Sequence, residues 1–303
     1  VAGSNYTFKA TATNAVMYTF DLGNGIKDQV SVTGDFTYKY ATSGVYTVTV
    51  VAKSASGASA SKTTVVTVTT SLSLIWADEF DAATASAPDP NKWGYDIGTG
   101  SGGWGNNEEE YYTNRTTNAI VSGGTLKITA LKESFSGSNY TSARLLSKGK
   151  FSFKYGKVDI SAKLPAGGGT WPALWMLGDD FGSAGWPACG EIDIMEHIGN
   201  SLNKIYGTLH YPGRSGGNAD GATTMINNAT TAFHKYTLEW TDVSIKIYVD
   251  DVVFYTFANK ATTPFNQNFF FIFNVAMGGN LGGAIDPAFT SGVMEVDYVR
   301  VYQ

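Results

Sequence analysis

Gly190-Glu191-Ile192-Asp193-Ile194-Met195-Glu196 sets three carboxylates within six residues of a stretch that otherwise reads as a strand. Side chains alternate across a strand, so Glu191 and Asp193 share one face. In unbroken register the next position on that face is Met195. One extra residue, a β-bulge at Ile194-Met195, returns Glu196 to the side of the other two. Three acids that close cannot all ionise freely, so at least one is expected to hold its proton well above the ordinary carboxylate range. A raised acid beside an ionised one is the pair that cleaves a glycosidic bond with retention.

Working outward, Trp171, Trp175 and Trp186 gather in Gly167-Gly168-Gly169-Thr170-Trp171-Pro172-Ala173-Leu174-Trp175-Met176 and Gly185-Trp186-Pro187, just before the acids. A solvated strand with scattered acids leaves that gathering unexplained. Flat apolar rings stack on sugar faces while carboxylates act on the anomeric carbon. Cys189, the single cysteine, leaves no partner for an internal disulfide. With no basic neighbour to favour a thiolate, it reads as a small buried hydrophobe rather than a nucleophile.

The whole chain agrees with that chemistry. It has 303 residues, enough for one large β domain and a small one, with a formal net charge of -5 and no basic run. That balance argues against a nucleic-acid partner and favours a neutral substrate. Thirty-five glycines, 14% aromatic residues and abundant Thr, Ser and Val indicate an all-β protein with many turns. No apolar run reaches membrane-spanning length, and Val1 opens no signal peptide. The sequence thus reads as a mature or trimmed chain, and export is inferred from the chemistry.

Two β domains are expected. Residues 1–70 carry short Thr/Val/Tyr-rich strands at 36–40, 44–52 and 63–69, with a strong turn at Asp21-Leu22-Gly23-Asn24-Gly25. That spacing predicts a small immunoglobulin-like β-sandwich. Residues 71–303 predict a larger sandwich, with strands at 121–131, 144–163, 206–211, 234–240, 243–249, 269–275 and 294–302 and no long helix. Val243, Ile245, Ile247 and Val249 alternate with a period of two, and Asp250-Asp251 turns the chain toward Phe254. The glycine-rich stretches 98–105, 167–169 and 278–283 fall at strand ends, where loops facing a ligand need close backbone approach.

The N-terminal segment resembles a PKD domain, with Leu22 and Asn24 standing where that family usually has an aromatic residue and an Asp. It shows no carboxylate cluster or aromatic platform and reads as a spacer. Residues 74–303 resemble the laminarinase branch of glycoside hydrolase family 16. The resemblance rests on Trp76-Ala77-Asp78-Glu79-Phe80-Asp81, Gly103-Trp104-Gly105-Asn106-Asn107-Glu108, Tyr140-Thr141-Ser142-Ala143-Arg144, Lys148-Gly149-Lys150-Phe151, Lys163-Leu164-Pro165, Trp171 to Leu177, Gly190 to Glu196, and Asn274-Val275-Ala276-Met277-Gly278-Gly279-Asn280. It implies a β-jelly roll (concanavalin-like) whose open cleft takes a β-glucan chain.

By position, the resemblance makes Glu191 the nucleophile, Glu196 the general acid/base and Asp193 the residue that hydrogen-bonds the nucleophile. The bulged form of the triplet is the one that 1,3-glucan-cleaving members share. Trp171, Trp175 and Trp186 match sugar-contacting aromatics, and Asn107 and Arg144 match polar groups on the non-reducing side. His197 and His210 are candidates to donate to substrate hydroxyls on the leaving-group side, whereas His234 reads as structural. Three scattered histidines without ligand spacing argue against a catalytic zinc.

The resemblance also implies a structural calcium far from the cleft, held by the Asp297 carboxylate and the backbone carbonyls of Glu79 and Gly124, an oxygen-only set that suits the ion. Glu109 and Leu281 depart from the family pattern. The expectation is a secreted, monomeric retaining endo-β-1,3-glucanase acting on laminarin-like glucans. Its rivals are a mixed-linkage or other β-glycan endo-hydrolase and, from another class, a glucan-binding recognition protein. The three intact acids speak against the last.

Overall fold

The computed structural model describes residues 4–40, 43–69 and 72–303. The chain separates into two compact units, Val1–Ser73 with Gln303, and Leu74–Tyr302. The expected boundary between 1–70 and 71–303 falls on residues outside the described ones.

In the first unit, strands Ser4–Lys9 and Asp35–Tyr40 pair with each other. A four-stranded sheet runs Gln29–Ser31, Ala15–Asp21, Gly44–Ser54, Ser59–Val68. Tyr18, Phe20, Leu22, Tyr40, Val48 and Val68 are buried between the sheets. Leu22 thus fills core space as a hydrophobe, and its carbonyl accepts the Tyr40 hydroxyl at 2.9 Å. Asn24 holds the turn, accepting the Ile26 N–H at 3.2 Å and donating to the Tyr38 hydroxyl at 3.0 Å.

The second unit is a jelly roll of two sheets, one of ten strands and one of seven. The seven-stranded sheet, which carries the acids, runs Asp220–Met225, Lys204–His210, Glu191–His197, Thr170–Gly178, Phe269–Met277, Arg144–Leu146, Gly94–Asp96. Alternation sends Ile192, Leu174, Met176, Phe271, Phe273, Leu145 and Leu209 inward, where they meet Val158, Ile160, Leu238, Ile247, Val299 and Val301 of the ten-stranded sheet. The helical content amounts to single turns, as expected.

Several boundaries differ from the sequence reading. The stretch 144–163 is two strands in different sheets, Arg144–Leu146 and Gly156–Lys163. Between them the chain turns at Ser147, whose hydroxyl donates to the Phe151 carbonyl at 2.8 Å and accepts the Phe271 N–H at 2.9 Å. A side chain serving as backbone partner ends the ladder without any Pro to announce it. Likewise 121–131 is a hairpin, Ala119–Ser122 and Thr125–Phe135, closed by Gly123 and Gly124, both with positive φ. Asp250 and Asp251 both adopt φ near 50–70° (49° and 66°), giving the tight turn into Val252–Ala258.

Candidate active site

The bulge lies where the sequence places it. Against Thr170–Gly178, Met195 faces Leu174 and Asp193 faces Trp175, leaving Ile194 as the extra residue. On the other side Asp193 faces Thr208 and Glu196 faces Tyr206, so Ile194 and Met195 stand against the single residue Gly207. Both bulged side chains are fully buried. Gly207 leaves the space they pack against: a Cβ there would come within 2.9 Å of the Phe254 ring and 3.0 Å of Ile247 from the opposite sheet, and one of them would have to shift. Glu191, Asp193 and Glu196 therefore emerge on one face, the cleft face, together with Trp171, Trp175, Thr208, His210, Asn274 and Arg144 from neighbouring strands.

Each outer carboxylate is held by an indole. Glu191 Oε2 accepts the Trp186 N–H at 3.0 Å, while Glu196 Oε1 accepts that of Trp171 at 3.0 Å and Oε2 accepts the Thr208 hydroxyl at 3.1 Å. Trp186, 46% exposed, leaves its ring available at the rim. His210 Nδ1 accepts the Gly216 N–H at 3.1 Å, which assigns the neutral ring's proton to Nε2. That nitrogen lies 3.5 Å from Glu191 Oε1 and 3.3 Å from Asp193 Oδ2.

The electrostatics follow from crowding in a place water barely reaches. Burial, then the Asp193 charge, pushes Glu191 up to about 8 against the pull of His210. Burial, then Glu196, raises Asp193 well above the carboxylate range. Glu196 is raised by burial, with the Trp171 and Thr208 hydrogen bonds and His210 opposing. Cys189, fully buried beneath, has its thiol pushed up to about 11, chiefly by burial, as a packing residue should.

One histidine expectation is corrected. His197 follows Glu196 on the strand and so faces inward; it is fully buried, its Nε2 bonds the Leu202 carbonyl at 3.0 Å, and burial lowers its pKa. It does not reach a substrate. His210 does stand on the cleft face, its Nε2 beside the acids.

Arg144 is also more than a polar contact. Its guanidinium lies between two rings, 4.6 Å from Trp104 and 4.9 Å from Trp175, and its Nε is 3.0 Å from Asp96 Oδ2. Trp104 is thereby part of this wall, carried on a loop where Gly102, Gly103, Trp104, Gly105 and Asn107 all have positive φ. Asn107 is exposed at its end, donating to Asn280 Oδ1 at 2.8 Å. Thr208 was open to detection, since it alternates with His210.

Glu191, Asp193 and His210 offer ligand atoms within 4.8 Å of one another, with the Asp193 Oδ2 oxygen buried and accepting no hydrogen bond among the described residues. Asp297 lies elsewhere, on the ten-stranded sheet, as the extra residue of a bulge between Val296 and Tyr298. Pairing of Leu126 with Val296 and of Asp78 with Val299 brings Gly124 and Glu79 alongside it. The Glu79 carboxylate is taken by Arg300 at 2.9 and 2.7 Å, leaving its carbonyl, and among the described residues the Asp297 carboxylate accepts no hydrogen bond. The Asp297 carboxylate with the Glu79 and Gly124 carbonyls would be an all-oxygen donor set, the chemistry that calcium takes.

Comparison with known proteins agrees with this geometry. Residues 106–300 match the model of glycosyl hydrolases family 16, and residues 1–67 match that of the PKD domain. A beta-glucanase of Rhodothermus marinus is 46% identical over 246 residues, covering 76% of this chain and 85% of its own. The structure of the laminarinase from Rhodothermus marinus superposes with a TM-score of 0.72 at 46% identity, covering 77% of this chain and 98% of that one. That of LamA_E269S from Z. galactanivorans, in complex with laminaritriose and laminaritetraose, gives 0.70 at 43% identity, covering 76% and 98%. This chain belongs to glycoside hydrolase family 16, with a PKD domain ahead of its jelly roll.

Proposed function

We propose that the protein is a retaining endo-hydrolase of β-1,3-glucosidic bonds in laminarin-like glucans. The observation that carries this reading is the bulged strand, which puts Glu191 and Glu196 on one face with Asp193 between them and a tryptophan N–H on each outer carboxylate. Retention requires carboxyl groups about 5–5.5 Å apart, and drawing two acids of one strand together is what a bulge does. The relatives named as laminarinases and the complex with laminari-oligosaccharides support the 1,3-linkage. Arg144, committed to Asp96 and two indoles, leaves a cleft suited to a neutral polymer rather than a sulfated one.

In this mechanism Glu191 attacks the anomeric carbon as Glu196 gives its proton to the departing glycosidic oxygen. The resulting glycosyl ester is then opened by water, whose proton returns to Glu196. Asp193 is the group to stay neutral, being driven there by burial and by Glu196. Glu191, raised to about 8 chiefly by burial, attacks in the ionised form, which the Trp186 N–H on its Oε2 favours and which grows in population as pH rises toward 8. Calcium at Asp297, with the carbonyls of Glu79 and Gly124, would tie the ends of the catalytic unit together without entering the chemistry. The PKD module serves as a spacer, and the enzyme works outside the cell, where such glucans are met.

The test is product analysis on laminarin, mixed-linkage glucan, curdlan and agarose side by side, with NMR of the first-formed anomer. Laminari-oligosaccharides released from internal bonds, appearing first as the β-anomer, are expected. Preferential cleavage of mixed-linkage glucan or agarose would overturn the linkage assignment, and first-formed α-anomer would overturn retention.

A further inference from the structure

Glu108-Glu109-Glu110 follows the glycine-rich loop, and two of its three acids turn inward. Glu110 is fully buried; its Oε2 accepts the Met277 N–H at 2.6 Å, and its Oε1 has no partner among the described residues. Glu108, 8% exposed, accepts Asn106 Nδ2–H at 3.1 Å on Oε1 and the Tyr112 hydroxyl at 2.9 Å on Oε2. Two residues apart in extended chain, they fall on one side, with Glu108 bridging Gly278 and Glu110 bonding the adjacent Met277 N–H. Arg144, the guanidinium on this wall, is ion-paired with Asp96 and, among the described residues, with neither glutamate. Two adjacent carboxylates, one with a bare buried oxygen, are a proton short.

We propose that Glu110 is a neutral carboxylic acid donating from Oε1 to the Glu108 carboxylate, and that this proton-sharing pair positions the Trp104–Trp175 wall of the cleft. From Glu108 a directed chain of hydrogen bonds reaches the substrate face. Tyr112 donates to Glu108 and accepts Asn274 Nδ2–H at 3.0 Å, and Asn274 Oδ1 accepts the Trp175 indole N–H at 2.8 Å. In the other direction Asn106, the Glu108–Gly278 bridge and the Asn107–Asn280 bond fasten the Trp104 loop to the turn after Phe269–Met277. That junction is tight: a Cβ on Gly279 would sit 2.9 Å from the Asn106 carbonyl and 3.3 Å from the Trp171 ring. Burial, then the Glu108 charge, raises Glu110 well above the carboxylate range, in keeping with the assigned proton.

The assignment makes the two glutamates unequal. Glu108 accepts every bond it makes, whereas Glu110 accepts one and donates one. A glutamine amide can imitate Glu110, with its NH2 on Glu108 and its oxygen on Met277 N–H. At position 108 it must turn an NH2 against a donor. Glu110→Gln is therefore expected to retain KM and kcat close to the parent. Glu108→Gln and Glu110→Ala are expected to raise KM for laminari-oligosaccharides roughly tenfold with kcat little changed, as loss of one buried hydrogen bond at a binding wall implies.

Infrared difference spectra at pH 7 give a readout that needs neither activity nor the unstable variant. Glu110→Gln minus parent should show loss of a protonated-carboxyl C=O band. Its absence, or a Glu108→Gln tolerated better than Glu110→Gln, would overturn the proposal. The kinetic arm rests on the glucanase reading, the spectral arm does not. A parent inactive on every β-glucan that still shows the band would sink that reading and sustain the pair.

Discussion

At strand ends of the ten-stranded sheet Glu79 receives both arms of Arg300 and is held below the carboxylate range by that hydrogen bond, as Asp251 is by Lys235. On the cleft face of the seven-stranded sheet Glu191, Asp193 and Glu196 meet one another, and all three are raised. The residue types are alike on both. What differs is the partner brought alongside: a cation in water on one sheet, another acid in a dry cleft on the other. The comparison teaches that the cleft is a place where native stability is given up for chemistry, while the opposite sheet bears charge at little cost either way.

The sharpest break between the two comes from turnover. Glu191→Ser or Glu196→Ala is expected to lower kcat on laminarin by several orders of magnitude, because the two carboxyls act as a unit, while the melting transition stays cooperative. Loss of cooperative melting instead would mark the triplet as structural. The equivalent change at Glu79 should leave kcat alone.

Next comes stability against pH, where the two sheets should show opposite signs. Below 4.5 Glu191 is neutral in both native and unfolded chains. Between 4.5 and about 8 the native state keeps a proton the unfolded chain has lost, so parent stability falls as pH rises. Glu191→Gln removes that loss, and its Tm should exceed the parent's by several degrees at pH 8, at about 2–4 °C per kcal/mol, with no gain at pH 4. A Tm difference independent of pH would contradict the raised carboxyl. Glu79, held low, stabilises above 4.5 and loses that contribution as pH falls through its native value. Being half exposed, it is worth about 0–1 kcal/mol, so Glu79→Gln should lower Tm only slightly at pH 7.

Calcium separates the sheets in another way. If Asp297 and its carbonyl neighbours hold the ion, a chelator should lower Tm and leave kcat at low temperature nearly unchanged. Asp297→Ala should then melt at the chelated value and ignore added calcium. Immediate loss of catalysis without a change in Tm would put the metal in the cleft. The smallest effect belongs to the N-terminal unit: removing residues 1–73 should leave KM on soluble laminarin unaltered, since no cleft residue lies there, and a large rise in KM would end the spacer reading.

What the chain determined by itself is what near neighbours along one strand decide. The shared face of Glu191 and Asp193, the bulge that restores Glu196, the Asp250-Asp251 turn and the buried role of Cys189 all follow from period-two alternation and local backbone chemistry, so they were legible before any fold. The tertiary structure decided the partners. Whether 144–163 is one strand or two depended on Ser147 meeting Phe271. The fate of the histidines depended on which side of the bulge faced inward and on Gly216 supplying a donor to His210. Arg144 became the filling between Trp104 and Trp175, and Glu110 found its acceptor role at Met277, 167 residues further on. Such contacts carry no local signal, because desolvation and hydrogen bonding act between groups that only the packed sheets bring within a few ångströms of each other.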